Sequence, residues 1–147
     1  MSDCIFCKPE EMKDRLIFDT DDWYAVYDGY SVTPGHALLI PKRHVENFWG
    51  LGKRAFNEFN EMEMYEAEYE LGDMHFYLLR LKEHILIDYP EVTGFNIGIN
   101  IGETAGQSIF HLHIHVFPRR VGDFSTDPQG GVRHMFGSEK AHYKANR

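Results

Sequence analysis

The sequence predicts an α+β fold in which an antiparallel sheet of about five strands packs against one long helix. Short stretches rich in β-branched and aromatic residues, typical of strands, lie on both sides of a central segment whose apolar residues recur every three or four positions, as in a helix. The order strand, strand, helix, strand, strand favours an antiparallel sheet. A chain of 147 residues, 43% of them hydrophobic, fits one domain over residues 1–147 with a substantial core.

Two strands are expected before the helix. Residues 23–28 combine aromatic and β-branched side chains and end in a turn signal, Asp28-Gly29. Residues 33–35, Thr-Pro-Gly, form a second turn signal, and residues 36–41 then predict a strand that ends at its proline. Because few residues separate the two strands, we expect them to pair antiparallel.

The central segment, residues 52–89, is expected to be helical. A helix of this length exceeds the usual one, so we expect a break near Gly72-Asp73. The many glutamates predict a solvated helix face, and the stripe of tyrosine and methionine predicts core packing. The helical spacing is seen at Phe59, Met62, Tyr65, Tyr69, Gly72, Phe76 and Leu79.

Three further segments follow the helix. Residues 95–102 predict a strand with small residues at alternate positions, residues 103–107 a glycine-containing loop, and residues 108–118 a last strand. The C-terminal tail, residues 119–147, is polar and contains glycine, so we expect it to be irregular.

The last strand carries three histidines at alternate positions, His111, His113 and His115. Side chains at i, i+2 and i+4 of a strand share one face, so we expect the three imidazoles in a row and the apolar residues between them in the core. Imidazole can be a nucleophile, an acid, a base or a metal ligand near neutral pH. The loop before the strand offers Gly106 and hydrogen-bond donors to an anion, which suits attack on a phosphorus or acyl centre. A metal-binding pair, or histidines without a special role, is the alternative.

A second cluster of reactive residues lies at the start of the chain. Cys4 and Cys7 are spaced Cys-x-x-Cys, which is half of a tetrahedral zinc site, and residues 1–10 would form a zinc-binding start. The remaining ligands would have to come from far along the chain, and His44 and His111 are the candidates. A redox dithiol and two unremarkable thiols remain open as alternatives.

Composition and missing motifs exclude several classes of protein. The formal net charge of -8 argues against general nucleic-acid binding, which needs a basic surface. We find no apolar run long enough to span a membrane and no signal peptide, and with only two cysteines we expect a cytoplasmic protein. The sequence also lacks a P-loop, a dinucleotide-binding glycine fingerprint and a His-Glu-x-x-His metal motif.

Residues 111–117, in which histidines alternate with apolar residues, resemble the signature of the histidine triad (HIT) superfamily. Residues 94–100, 105–108 and 118–119 strengthen the resemblance, and residues 34–44 are similar to a second motif of the family. Segments within residues 122–133 resemble the tail of bacterial and archaeal members, some of which share the Cys-x-x-Cys start. The chain also has some likeness to the dinucleoside polyphosphate hydrolase branch.

This resemblance implies a nucleotide hydrolase or transferase that acts at the α-phosphate of nucleoside polyphosphates or phosphoramidates. His113 would be the nucleophile and would form a covalent nucleotidyl-histidine intermediate. His115 would contact the phosphate oxygens and assist the leaving group, His111 would brace the row, and His36 would support the orientation of the nucleophile. A core histidine is the alternative for His36, and a nucleotide-binding regulatory module with little turnover is the alternative for the whole protein.

The resemblance also implies how a nucleotide would be bound. Asp28 would bind the ribose hydroxyls, although a simple turn aspartate is an alternative, and Asn100 would lie beside the phosphates unless it only satisfies its own loop. Gly106 would let the backbone approach the phosphate, and Gln107 and Ser108 would donate hydrogen bonds to it.

Two further properties follow from the resemblance. A structural Zn²⁺ ion would be held by two cysteines and two histidines, and the chain would form a homodimer. A metalloenzyme that uses the histidine row as ligands is a third possibility for the function. The zinc ligands would be Cys4, Cys7, His44 and His111.

Overall fold

The structure is a computed structural model that describes the backbone of residues 3–51, 61–124 and 130–137, and the side chains of the same residues except 61–68. It confirms the α+β prediction: five antiparallel strands form one sheet in the order β1-β2-β3-β5-β4, with one long helix packed on it. The elements are β1 (Leu16–Asp19), β2 (Trp23–Tyr27), β3 (Ala37–Pro41), α1 (Glu61–Asp88), β4 (Gly94–Gly98) and β5 (Ile114–Arg119).

The predicted hairpin forms as expected, since every residue of β2 pairs with β3, from Trp23 with Pro41 to Tyr27 with Ala37. Strand β1 was not located by the sequence pattern, because it has only four residues and follows a charged stretch. Strand β4 ends at Gly98, four residues earlier than predicted. Strand β5 begins at Ile114, six residues later than predicted, because the backbone N–H of Leu112 donates to the carbonyl of Val45 outside the sheet.

The expected break near Gly72-Asp73 is wrong, because α1 runs continuously from Glu61 to Asp88. A single glycine in a helix costs only about 1 kcal/mol relative to alanine, which the surrounding helix tolerates. The predicted helical residues 52–60 lie outside the described residues. In the tail, Gly131–Phe136 form a short 3-10 helix rather than irregular chain, and residues 125–129 and 138–147 lie outside the description.

The two faces of the sheet are covered by different parts of the chain. One face packs against α1, where Leu81 and Ile85 are fully buried against Leu39 and Ile114. The other face carries Leu38 and His115, which pair across β3 and β5 and therefore point the same way. Two short 3-10 helices, Ile5–Cys7 and Pro9–Arg15, cover part of this second face. His115 thus lies on the face opposite the helix.

Among the described residues, no helix has the length and apolar character needed to cross a membrane.

Candidate active site

The histidine row is divided between two environments. His113 and His115 lie on the open face of the sheet, and the apolar side chains between and after them are buried on the helix face as predicted. His111 lies before β5 begins, and its ring is fully buried among the side chains of Cys4, Cys7 and His44. The ring of His111 therefore belongs to the cysteine cluster, and any support that His111 gives to the row comes from its backbone.

His111 still acts on the row through its backbone. The Nδ1–H group of His113 donates to the carbonyl oxygen of His111 at 2.8 Å. This bond fixes the proton on Nδ1 and leaves the lone pair on Nε2, which has no hydrogen-bond partner among the described residues. His113 is 9% exposed, so this nitrogen belongs to a nearly buried ring.

A chain of hydrogen bonds also fixes the tautomer of His115. The backbone N–H of Val32 donates to Nδ1 of His36 at 3.3 Å, so the neutral His36 ring carries its proton on Nε2. That nitrogen lies 2.9 Å from Nδ1 of His115 and 3.4 Å from a carboxylate oxygen of Asp28. Donation to His115 leaves the proton of His115 on Nε2. The direct contact of His36 is thus with His115, and its expected support of the orientation of His113 stays a prediction.

The imidazole rings of His36 and His115 are both neutral at physiological pH. Burial, together with the neighbouring His113 and His36, lowers the pKa of His115 to about 4, although the charge of Asp28 opposes the shift. Burial also lowers the pKa of His36, again against the opposing charge of Asp28. His115 is therefore a neutral hydrogen-bond donor in the free protein and not an imidazolium ion.

A cleft of about 910 Å³ opens beside these histidines. Two predicted nucleotide-binding residues, Asp28 and Asn100, line it, which brings them together with His36 and His115. Asp28 also accepts from the backbone N–H of Tyr30 at 2.7 Å, as a turn aspartate does. Apolar walls come from Val32, Ile97, Ile99, Phe117, Val132 and Met135.

The cleft is also lined by Asn96, which sequence reasoning did not single out, and by Arg119, for which attraction of a polyphosphate and a solvated arginine were both open. Arg119 donates to the amide oxygen of Asn96 at 2.7 Å, which leaves the NH₂ group of Asn96 as a donor to a ligand. Asn96 and Asn100 are four positions apart in the strand predicted over residues 95–102. Side chains at alternate positions of a strand share one face, so this spacing was the signal that could have placed both residues on the same face.

The loop predicted to cradle phosphate is held together by Gln107. Its side chain is 3% exposed, donates to the carbonyls of Glu46 at 2.6 Å and Ile109 at 3.2 Å, and accepts from the backbone N–H of Gly102 at 2.9 Å. Both amide N–H groups are used, so the expected phosphate contact of this side chain is replaced by a structural role. Gly106 (φ +94°) and Ser108 are exposed at this loop.

The four predicted metal ligands, distant in sequence, meet in one cluster. Nδ1 of His111 lies 3.4 Å from Sγ of Cys4, 3.5 Å from Sγ of Cys7 and 3.1 Å from Nδ1 of His44, and Cys7 Sγ lies 3.2 Å from the same nitrogen of His44. Neighbouring ligand atoms of tetrahedral zinc stand roughly 3.3–3.8 Å apart, given bond lengths of ~2.0–2.3 Å.

The outer contacts of this cluster also fit a metal. Nε2–H of His111 donates to the carbonyl of Pro41 at 2.8 Å, which leaves the lone pair on Nδ1, the atom that faces the cysteines. Two histidine Nδ1 atoms facing each other and two thiols are the donor set of a structural Cys₂His₂ zinc site. The residues present therefore fit Zn²⁺.

Comparison with known proteins agrees with the fold. Residues 9–122 match the family model described as HIT domain. The chain is 34% identical over 118 residues to "Protein hit" of Bacillus subtilis, covering 79% of this chain and 70% of the relative. It is also 31% identical to the crystal structure of a HIT family member from Bacillus subtilis, with a TM-score of 0.59, covering 85% of this chain and 80% of the other.

A third relative has a named activity. The chain is 29% identical over 115 residues to "Bis(5'-adenosyl)-triphosphatase" of Dictyostelium discoideum, covering 78% of this chain and 66% of that protein. With the family model spanning most of the sequence and the histidines arranged on an open sheet face, this chain belongs to the HIT family.

Proposed function

We propose that this protein is a nucleotide hydrolase or transferase that acts at the α-phosphorus through a covalent intermediate on His113. The observation that carries the proposal is the geometry of His113, whose Nδ1–H is held by the His111 carbonyl while Nε2 keeps its lone pair beside His115. A binder without turnover needs no nucleophile oriented in this way.

The proposed reaction has two displacements. Nε2 of His113 attacks the α-phosphorus, the bond from phosphorus to the leaving group breaks, and the leaving group departs with the bonding electrons and takes a proton from solvent. The nucleotidylated ring is cationic, and its Nδ1–H bond to the His111 carbonyl stabilises that charge. Water, or another acceptor in a transferase, then attacks phosphorus and releases the imidazole.

His115 supports the first displacement as a donor. Its Nε2–H, set by the bond from His36, is available to a phosphate oxygen on which negative charge develops. Because the pKa of His115 is about 4 in the free protein, this role is hydrogen bonding by a neutral ring and not proton donation by an imidazolium ion.

The cleft beside the histidines would hold the nucleoside. Its volume of about 910 Å³ lies in the range of small-molecule sites, and apolar side chains such as Ile97 and Ile99 would contact a base. Asp28 would accept from the ribose hydroxyls, and the amides of Asn96 and Asn100 would donate to phosphate. The name of the Dictyostelium discoideum relative favours a dinucleoside polyphosphate, and a nucleoside phosphoramidate is the other substrate class.

We also propose that Cys4, Cys7, His44 and His111 hold one Zn²⁺ ion. When bound, the ion supplies a structural cross-link between the N-terminal turn and the segment before β5. A homodimer and a cytoplasmic location remain predictions from the family resemblance.

The test of the function is turnover by a His113→Ala variant. We expect it to lose hydrolysis of diadenosine triphosphate and adenosine phosphoramidate while it still binds the nucleotide product. His75→Ala, on the exposed side of α1, is the matched control and should retain wild-type rates. Wild-type protein that binds nucleotide but hydrolyses neither compound would favour a regulatory binding module. Hydrolysis by His113→Ala at the wild-type rate would end the assignment of the nucleophile.

A further inference from the structure

The buried aromatic residue Phe6 lies against the proposed nucleophile. Its ring centroid is 4.9 Å from that of His113, with the planes inclined by 54°. The same ring meets His111 edge-on, at 6.1 Å and 82°. Phe6 is 6% exposed, so its buried ring packs against one side of the His113 imidazole. It makes no part of the cleft that would hold the nucleotide.

The backbone of Phe6 is anchored on both sides. Phe6 lies in the turn between the two cysteines, where the N–H of Cys7 donates to the carbonyl of Cys4 at 3.1 Å. The hydroxyl of Tyr24, on β2, donates to the carbonyl of Phe6 at 2.7 Å in a buried bond. The backbone is held by these bonds, and the burial of the ring opposes its rotation away from His113.

Two restraints therefore converge on the His113 ring. One is the His111 carbonyl, which accepts from Nδ1–H, and the other is the face of Phe6. Both come from the cysteine cluster or from the turn that it closes. Rotation of the His113 ring about its side-chain torsions would break the first contact, and the second limits the space on one side of the ring.

We propose that Phe6 is a positioning residue that holds the His113 ring in the orientation in which Nδ1–H meets the His111 carbonyl and Nε2 faces the substrate. This inference deepens the proposed function and rests on it for the role of His113. The N-terminal turn would then have two roles, because it would supply metal ligands and also fix the orientation of the His113 ring.

The experiment compares Phe6→Leu with Phe18→Leu in protein of matched zinc content. Phe18 is 5% exposed, nearly as buried as Phe6, but it packs on the helix face against Tyr77 and His84. Nitrogen-15 NMR of histidine-labelled protein reports the tautomer of His113 without requiring turnover. We expect a single Nδ1–H tautomer in the wild type and in Phe18→Leu, and a mixture of tautomers in Phe6→Leu.

The kinetic readout is a split between kcat and KM. We expect Phe6→Leu to lower kcat roughly three- to tenfold, as loss of one aromatic contact would, with KM within about twofold of wild type. If Phe6→Leu does not fold, Tyr24→Phe removes only the hydroxyl that anchors Phe6 and should shift the His113 tautomer in the same direction.

The outcomes separate this inference from the proposed function. An unchanged His113 tautomer and kcat in Phe6→Leu, or an equal change in Phe18→Leu, would overturn the positioning role. For the fallback, an unchanged tautomer in Tyr24→Phe would do the same. A tautomer shift in Phe6→Leu in a protein whose wild type hydrolyses no nucleotide would support the positioning role and reject the proposed function.

Discussion

Protonation of His115 is expected to destabilise the folded chain in mild acid. The pKa of this imidazole is about 4 in the folded protein, against 6.5 when it is not perturbed, because burial disfavours the cation. The unfolded chain therefore binds the proton more readily. The stability contributed by the neutral ring is complete above pH 6.5 and is lost as the pH falls towards 4. Linkage gives a loss of about 2 kcal/mol between pH 7 and pH 5, and about 3 kcal/mol by pH 4.

Urea unfolding at pH 4 to 8 measures this effect, with His115→Gln as the comparison because it removes the titrating group. Acid-sensitive groups that do not interact with His115, the cysteine cluster among them, act in both proteins and cancel in the difference. Between pH 7 and pH 5 the wild type should lose about 2 kcal/mol more than the variant. Parallel stability curves, or an NMR titration that places the pKa of His115 near 6.5, would refute the argument.

Two other outcomes are expected. Protein purified without chelator should contain about one zinc ion per chain, and Cys7→Ser should lower both the zinc content and the unfolding temperature; elemental analysis that finds no zinc would remove the metal site. Gly35 has φ +88°, and an added Cβ would lie 2.9 Å from the Tyr89 ring, so Gly35→Ala should destabilise by roughly 1–3 kcal/mol. Gly72→Ala, with no described atom within 4 Å of the new Cβ, should instead stabilise by roughly 0.5–1 kcal/mol. Urea unfolding compares the two glycine variants, and a loss of stability in both would contradict the reasoning.

Local sequence patterns predicted most of the sheet, because the alternation of side chains in a strand and the residue preferences of a turn depend only on residues that are close in sequence. The alternation around His113 predicted which side chains are buried, and the turn before His36 predicted the hairpin. The Cys-x-x-Cys spacing, with four ligands expected for zinc, also led to His44 and His111, and the structure brings these four side chains together.

Contacts between distant segments were beyond these patterns. The bond from Leu112 to Val45 turns His111 away from the row before β5 begins, and a pattern of alternate residues cannot show where pairing starts. The hydrogen bond from the Gln107 side chain to the Glu46 carbonyl joins residues that are 61 positions apart in the sequence, so no local pattern could predict it. Arg119 orients Asn96 across the sheet, so neither residue stands out in its own segment.

The central claim concerns a transient bond between His113 and phosphorus, and a trapped adduct tests it most directly. Wild-type protein is mixed with diadenosine triphosphate or adenosine phosphoramidate, quenched within milliseconds at alkaline pH, digested and analysed by mass spectrometry. We predict an added adenosine monophosphate group on the peptide that contains His113, on that side chain, and none in His113→Ala. Steady hydrolysis of either substrate with the adduct on another residue, or with no adduct at any quench time, would contradict the claim.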